Sequence, residues 1–277
     1  MRNSLKNILF YQTVMNGILT RMNICLFTQD EINKPLPVRD ERGVHIIKIL
    51  HKKTGDTFSA GIIGGMAGTA TITEITGSTA DSEGTISFTF NPETDGKPLY
   101  PLTLIIGFPR PIQLKRLLRD IAGLGVCAVH LTGTELGEKS YMQSSLVERG
   151  AAYQMLLDGT VQAAGTHVPG LFLHKTLAEC LDAVQSNGKI KIALDNVRAS
   201  CTLTGFLAAH PVKAAEEADE SVMAAIGSER GWSDRERVQL EDADWTRCSM
   251  GQRILRTETA ATVAASVILA AMGKLDT

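Results

Sequence analysis

Two glycine-punctuated segments near the carboxyl end combine residue types that chemistry can use. The first is Ile226-Gly-Ser-Glu-Arg-Gly-Trp-Ser233, continuing as Asp-Arg-Glu236. An apolar run from Ser221 to Ile226 feeds a loop with glycines at 227 and 231. Ser233 to Glu236 then has the spacing of a capping box that opens a helix. Glycine lets the backbone approach a ligand closely, and Glu229 has no structural need to be acidic. The second is Ser249-Met-Gly-Gln-Arg-Ile-Leu-Arg-Thr-Glu-Thr-Ala-Ala261. Gly251 precedes the apolar pair Ile254 and Leu255, and Arg256 leads into an Ala-rich helix expected over Thr257 to Met272. Thr257 reads as its N-cap, and Glu258 meets the positive end of the helix dipole. Capping accounts for neither Gly251 nor Arg256. In open parallel sheets, ligands bind beyond the carboxyl ends of the strands.

Other chemistry finds little support. There is no G-x-x-x-x-G-K-[ST] phosphate loop, no helix-opening G-x-G-x-x-G and no G-x-S-x-G elbow. The run Gly61 to Gly68 lies among β-like segments and reads as hairpin glycine. Cys25, Cys127, Cys180, Cys201 and Cys248 contain no C-x-x-C pair and read as reduced, packed thiols. His130, His174 and His210 read as structural or surface residues, so no metal is expected. Residues 39–53 are basic: Arg39, Arg42, Lys48, Lys52 and Lys53 stand against Asp40 and Glu41, with His45 and His51 among them. Such a cluster can neutralise phosphates or be a solvated face.

The positioning elements follow from the patterning. From Met22 to about Lys97 the runs Thr57 to Ile63, Thr69 to Ile75 and Thr85 to Phe90 are β-like, which predicts a small barrel or sandwich. Asn91 to Pro98, with two prolines, reads as a linker. Strands over Leu102 to Phe108, Val126 to Leu131, Lys189 to Leu194 and Ser221 to Ile226 alternate with helices over Ile112 to Leu124, Ser145 to Ala164 and Thr257 to Met272. That alternation predicts a parallel α/β sheet. The long helix fits a core or a partner surface equally well. Residues 1–21 read as a loose or non-native extension, with Met22 as a natural start. Composition is globular, with 44% hydrophobic and 21% charged residues. No apolar run spans a membrane, and a cytoplasmic location is expected. The net charge of −2 excludes a generally basic nucleic-acid coat protein but not a local basic patch.

The two segments resemble the signature of the ribosomal RNA small subunit methyltransferase E family. Ile226-Gly-Ser-Glu-Arg-Gly-Trp-Ser233 is similar to its I-G-P-E-G-G-[FL]-S loop, with Ser228 and Arg230 as departures. Met250-Gly-Gln-Arg-Ile-Leu-Arg-Thr-Glu-Thr-Ala260 is similar to L-G-x-R-[IV]-L-R-T-E-T-[AT]. Arg42-Gly-Val-His45, Gly107-Phe-Pro-Arg110 and Leu124-Gly-Val126 match further back. At His51, Gln113, Asp120, Gly123 and Gly165 the chain departs from the family's usual residues. The resemblance implies a PUA-like β-barrel over residues 22–97, then a SPOUT-type knotted α/β domain over residues 98–277. It implies a homodimer that binds S-adenosylmethionine and methylates N3 of a uridine in the decoding region of small-subunit rRNA, free or in the assembled subunit. Leu194, Ile226, Gly227, Gly231, Met250, Gly251, Ile254, Leu255 and Thr259 would then hold the cofactor. Arg256 would stabilise charge on the uracil, and Glu229 would accept a proton or bind the cofactor amine. Arg39, Arg42, His45, Lys48, His51 and Lys52 would hold RNA. Two alternatives are a non-catalytic RNA-binding or assembly factor of the same fold, and a knotted methyltransferase with another rRNA or tRNA target.

Overall fold

A computed structural model describes residues 24–77, 83–143, 150–184, 190–211 and 221–276. The extension expected over residues 1–21 lies outside them. The chain divides into two compact units. One comprises residues up to Pro98 with Thr160–Val168, and the other comprises Leu99–Gly159 with Pro169–Thr277.

In the first unit, β1 (Cys25–Phe27), β2 (Leu36–Pro37), β3 (Thr57–Ile62), β4 (Ala67–Thr76) and β5 (Thr85–Thr94) form one sheet, ordered β1-β3-β4-β5-β2. β1 runs parallel to β3 and the other pairs are antiparallel. The result is an open half-barrel of PUA-like type, with β1 and β2 as its edges among the described residues. Alternation along β3 and β4 turns Phe58, Ala60, Ala70 and Ile72 inward, where Phe27, Val38, Ile46 and Ile86 join them. Gly64 takes φ +73° in the turn between β3 and β4, so the glycine-rich run is a hairpin. The expected linker is partly strand, because β5 continues through Asn91–Thr94. Pro92 pairs with Gly68 beside a register shift, and β2 covers only Thr85 and Ile86. A proline is tolerated at such an irregular, uncovered edge.

A short helix, α1 (Glu41–Val44), runs straight into a π-helical turn over His45–Ile49. The turn draws part of the basic run into the unit's interior. The Arg42 guanidinium donates to Asp40 at 2.8 Å, to Glu31 at 3.1 Å and to the Leu26 carbonyl at 2.9 Å. It also lies 4.8 Å over the Phe27 ring.

The second unit holds the parallel sheet. Its strands are β6 (Tyr100–Gly107), β7 (Val126–Thr132), β8 (Gly170–His174), β9 (Ile190–Leu194), β10 (Cys201–Thr202), β11 (Val222–Ile226) and β12 (Thr246–Ser249). Their order is β10-β12-β9-β11-β6-β7-β8, with every neighbouring pair parallel. The helices are α2 (Pro111–Gly123), α3 (Ala151–Gln162), α4 (Leu177–Ala183), α5 (Leu203–Ala209), α6 (Asp234–Asp242) and α7 (Thr257–Ala271). The start expected for α3, at Ser145, lies outside the described residues. Ile105, Ala193, Met223 and Ala225 share one sheet face and pack with Leu177 and Cys180 of α4, Trp232, Trp245 and Leu240 of α6. The opposite face is left to α2 and α7, which touch each other and the sheet. Ala260, Ala261, Ala264, Ala265, Ile268 and Leu269 of α7 are buried. That stripe is core within this chain. Among the described residues no helix is long and apolar enough to cross a membrane.

The Arg42 cluster yields a stability prediction. Its hydrogen bonds hold the Glu31 carboxyl down at about 2 and lower Asp40 as well. A depressed carboxyl contributes stability above its unfolded value and loses it as pH falls toward the folded one. Acid unfolding of the wild type should therefore steepen below the ordinary carboxylate range, on the way down to about pH 2. Arg42→Met should remove about 2 kcal/mol at neutral pH and flatten that acid limb. Urea titrations followed by circular dichroism across pH measure both.

Candidate functional site

The carboxyl ends of β9, β11 and β12 converge on a cavity of about 290 Å³, near the small end of ligand sites. β9 supplies Leu194 and the loop residues Asp195, Asn196 and Val197. β11 supplies Ile226 and the loop Gly227–Gly231. The segment after β12 supplies Met250, Arg253, Ile254 and Leu255. Arg237 of α6 and Thr257 and Ala260 of α7 complete the wall. The two segments singled out in the sequence thus meet in space.

Backbone proximity explains the glycines. A Cβ on Gly227 would lie 2.9 Å from the Gly231 carbonyl carbon, and one on Gly107 would lie 2.5 Å from the Ser228 nitrogen. Gly231 and Gly251 take φ of +73° and +99°, where a side chain is strained. Ser228, where the family has proline, bridges to Gly231, whose N–H donates to the Ser228 carbonyl at 2.8 Å. Trp232 is buried, and its indole N–H donates to the Leu194 carbonyl at 3.1 Å. This bond ties the β11 loop to the end of β9. Ser233 and Glu236 form the expected capping box of α6.

Asp195 is the polar centre of the wall. Its side chain is 5% exposed, and its Oδ2 accepts from Arg237 Nε at 2.6 Å and lies 3.6 Å from Arg247 Nη1. Its Oδ1 accepts the Val197 N–H at 3.0 Å, which curls the β9 loop back on itself. Arg247 also donates to the Val197 carbonyl and to Glu241, both at 2.7 Å. The sequence alone assigns no role to Asp195, Arg237 or Arg253. The signal available for Asp195 was an acid directly after a buried apolar strand, at the end where ligands bind.

The other expected site residues fall as follows. Leu194, Ile226, Gly227, Gly231, Met250, Ile254, Leu255 and Glu229 line the cavity, whereas Gly251, Thr259 and Arg256 do not. Gly251 and Thr259 are exposed. Arg256, not Thr257, is the N-cap residue of α7, and it makes no side-chain cap bond. Thr257 is buried at N1, its hydroxyl donating to the Gly227 carbonyl at 3.3 Å. This corrects the capping expectation, because that hydroxyl closes the cavity floor instead. Arg256 is exposed and has no ion pair among the described residues. Glu229 pairs with Arg110 at 3.3 Å, so its acidity does have a structural partner. Ile254 is 91% exposed at the cavity mouth, an apolar surface that a ligand can cover.

The basic run divides in two. Arg39, Lys48 and His51 are exposed and Lys52 is half-buried. Arg42 is consumed by Glu31 and Asp40. His45 buries its Nε2 without a hydrogen-bond partner, and burial pushes its pKa down. Of the residues expected to hold RNA, Arg42 is thus engaged in ion pairs and His45 is partly buried, whereas Arg39, Lys48 and His51 are exposed.

Comparison with known proteins shows the family. A family model for the RNA methyltransferase domain matches residues 95–269. The ribosomal RNA small subunit methyltransferase E of Treponema pallidum is 38% identical over 256 residues, covering 90% of this chain and 91% of that protein. The ribosomal RNA small subunit methyltransferase E 1 of Borreliella burgdorferi is 30% identical, covering 90% and 98%. Among solved structures, the ribosomal RNA small subunit methyltransferase E of Neisseria gonorrhoeae, bound to S-adenosyl methionine, superposes with a TM-score of 0.70. It is 20% identical, covering 90% of this chain and 97% of that one. A putative methyltransferase from Legionella pneumophila in complex with the same cofactor has a TM-score of 0.69 at 20% identity, covering 90% and 98%.

Asp195→Ala would leave two partly buried guanidiniums facing each other without their shared acceptor. Their second partners, Asp234 and Glu241, soften the loss. We expect about 3 kcal/mol of destabilisation, with faster amide exchange across Asn196–Ser200. Urea unfolding and hydrogen-exchange mass spectrometry measure these effects.

Proposed function

We propose, because this chain belongs to the ribosomal RNA small subunit methyltransferase E family, that it transfers a methyl group from S-adenosylmethionine to N3 of a uridine in the decoding region of small-subunit rRNA. One observation carries the reading. The two motif segments, separated in sequence by most of α6 and β12, build a single cavity with the end of β9 at the carboxyl edge of the parallel sheet. The residues present fit the cofactor. A Cβ at 227 would press on the Gly231 backbone, so glycine lets the loop fold tightly, and its amides and carbonyls are left for adenine and ribose. Leu194, Ile226, Met250, Ile254 and Leu255 supply apolar surface for a purine ring, with Gly251 and Thr259 beside them. Bound there, S-adenosylmethionine supplies an electrophilic methyl group.

The protein's task is then to place N3 in line with that methyl group and to stabilise the base as N3 loses its proton. Negative charge spreads onto the uracil oxygens. Arg256, exposed at the start of α7 beside the cavity wall, is the cation assigned to meet it. Glu229, held by Arg110 at 3.3 Å, is the assigned proton acceptor or cofactor-amine partner. The target base has to leave its stack to reach the site. Residues 22–97 serve as the RNA-binding domain, with Arg39, Lys48, His51 and Lys52 toward the phosphates. Residues 98–277 form the methyltransferase domain with a carboxyl-terminal trefoil knot, a reading supported by its last strand lying inside the sheet between β9 and β10. The working species is a homodimer.

The test is methyl transfer from labelled S-adenosylmethionine to small subunits from cells lacking the corresponding gene, with the rRNA digested and read by mass spectrometry. The expected product is a single N3-methyluridine in the decoding region. Methylation elsewhere, or none, overturns the assignment. In the same assay Arg256→Ala should lower turnover about 100-fold while RNA affinity stays within about twofold. Lys48→Ala should instead weaken RNA binding and reduce its salt slope by about one.

A further inference from the structure

Away from the cavity, the structure brings together three side chains that sequence spacing kept apart. We propose that His130 of β7, His174 of β8 and Cys180 of α4 form a zinc site that fastens the outer edge of the large sheet. One ligand atom from each residue lies within 4.8 Å of the others, and His130 Nδ1 is 2.9 Å from His174 Nε2. A tetrahedral zinc holds nitrogen at about 2.0–2.1 Å and sulfur at about 2.3 Å, which sets neighbouring ligand atoms roughly 3.3–3.8 Å apart. To reach that spacing the two imidazole nitrogens move apart by roughly half an ångström and the Cys180 sulfur closes in by up to about 1 Å, within the reach of side-chain rotation. Two imidazoles and a thiolate suit zinc among the common divalent ions, and three protein ligands leave a fourth position for water.

The surroundings pre-organise the set. His130 and Phe172 are register partners on β7 and β8, and their rings stack at 4.6 Å. The two imidazole planes are only 5° apart and their facing nitrogens share a hydrogen bond, which the ion would replace. His130 and His174 lie on the sheet face that α4 covers, and Cys180 points from α4 into that layer. Among the described residues β8 is the last strand at this edge, and it is short. A bridge between β7, β8 and α4 therefore restrains an element with a partner strand on one side only. His174 is half-buried, which gives an ion a way in.

The proton balance is definite. Both imidazoles bind as neutral rings, with the N–H moved to the nitrogen away from the metal. Cys180–SH loses its proton to solvent as the sulfur–zinc bond forms, so one proton leaves per ion bound. Burial holds that thiol up to about 12, and only the ion's charge makes its loss favourable at neutral pH. Glu179 is a nearby ionisable group, whose field opposes the effect of burial on His174 and whose carboxylate accepts the Lys175 N–H at 2.9 Å.

The test uses the full-length protein, stripped with a chelator and titrated with zinc against a competing indicator. Metal content is then read by mass spectrometry after dialysis. Cobalt is substituted in parallel, because a thiolate ligand gives a sulfur-to-cobalt charge-transfer band. The expected results are one zinc per chain, a cobalt–thiolate band, a higher melting temperature with zinc and affinity rising about tenfold per pH unit. Cys180→Ser should abolish the band, and His174→Gln should weaken zinc binding at least 100-fold while leaving the metal-free circular dichroism unchanged. Less than one zinc per chain, or equal binding by the wild type and both variants, overturns the proposal.

Discussion

A buried carboxylate governs the shape of the candidate site. Asp195 sits where β9 ends, draws in Arg237 from α6 and Arg247 from β12, and folds its own loop by accepting the Val197 N–H. A charge this buried is stable only when paired and hydrogen-bonded. The end of β9 and the two elements that bring its partners must therefore keep their positions. Trp232 adds a neutral tie from the β11 loop to the Leu194 carbonyl. With these bonds in place the glycine loops need no side chains of their own to hold their course, and the backbone stays open to a ligand.

The parallel sheet supplies the rest. All seven strands point the same way, so their carboxyl ends and the loops that follow gather at one edge. The apolar faces of β6, β9 and β11 are filled on one side by α4, α6 and two tryptophans, leaving the other to α2 and α7. The small residues of α7 let it lie close to the sheet. Its first turn thereby reaches the cavity, where Thr257 meets the Gly227 carbonyl. The first unit relies on a comparable device. There Arg42 gathers two carboxylates and a carbonyl beneath the α1 turn.

Much of this was legible in the sequence, for physical reasons. Strands such as Val222–Ile226 are buried on both faces and read as unbroken apolar runs. The capping box at Ser233 and Glu236 announced its helix because its chemistry is local. Elements stabilised mainly by tertiary contacts escaped notice. β12 is four residues containing Arg and Ser, and β8 and α4 are short with weak periodicity. Pro92 disguised the end of β5. The same limit hid Asp195, whose arginine partners lie 42 and 52 residues away, and the meeting of His130, His174 and Cys180. Basic residues looked equivalent in the sequence, yet the ion pairs of Arg42 and the partial burial of His45 separate them from the exposed Lys48 and His51.

The central claim is that the glycine-lined cavity at the sheet's carboxyl edge binds S-adenosylmethionine. Calorimetric titration of the purified protein with that molecule tests it most directly, with Gly227→Ala as the comparison. The account predicts saturable binding by the wild type and at least tenfold weaker binding by the variant, whose new Cβ would lie 2.9 Å from the Gly231 backbone. Equal binding by both proteins, or none by the wild type, would contradict it.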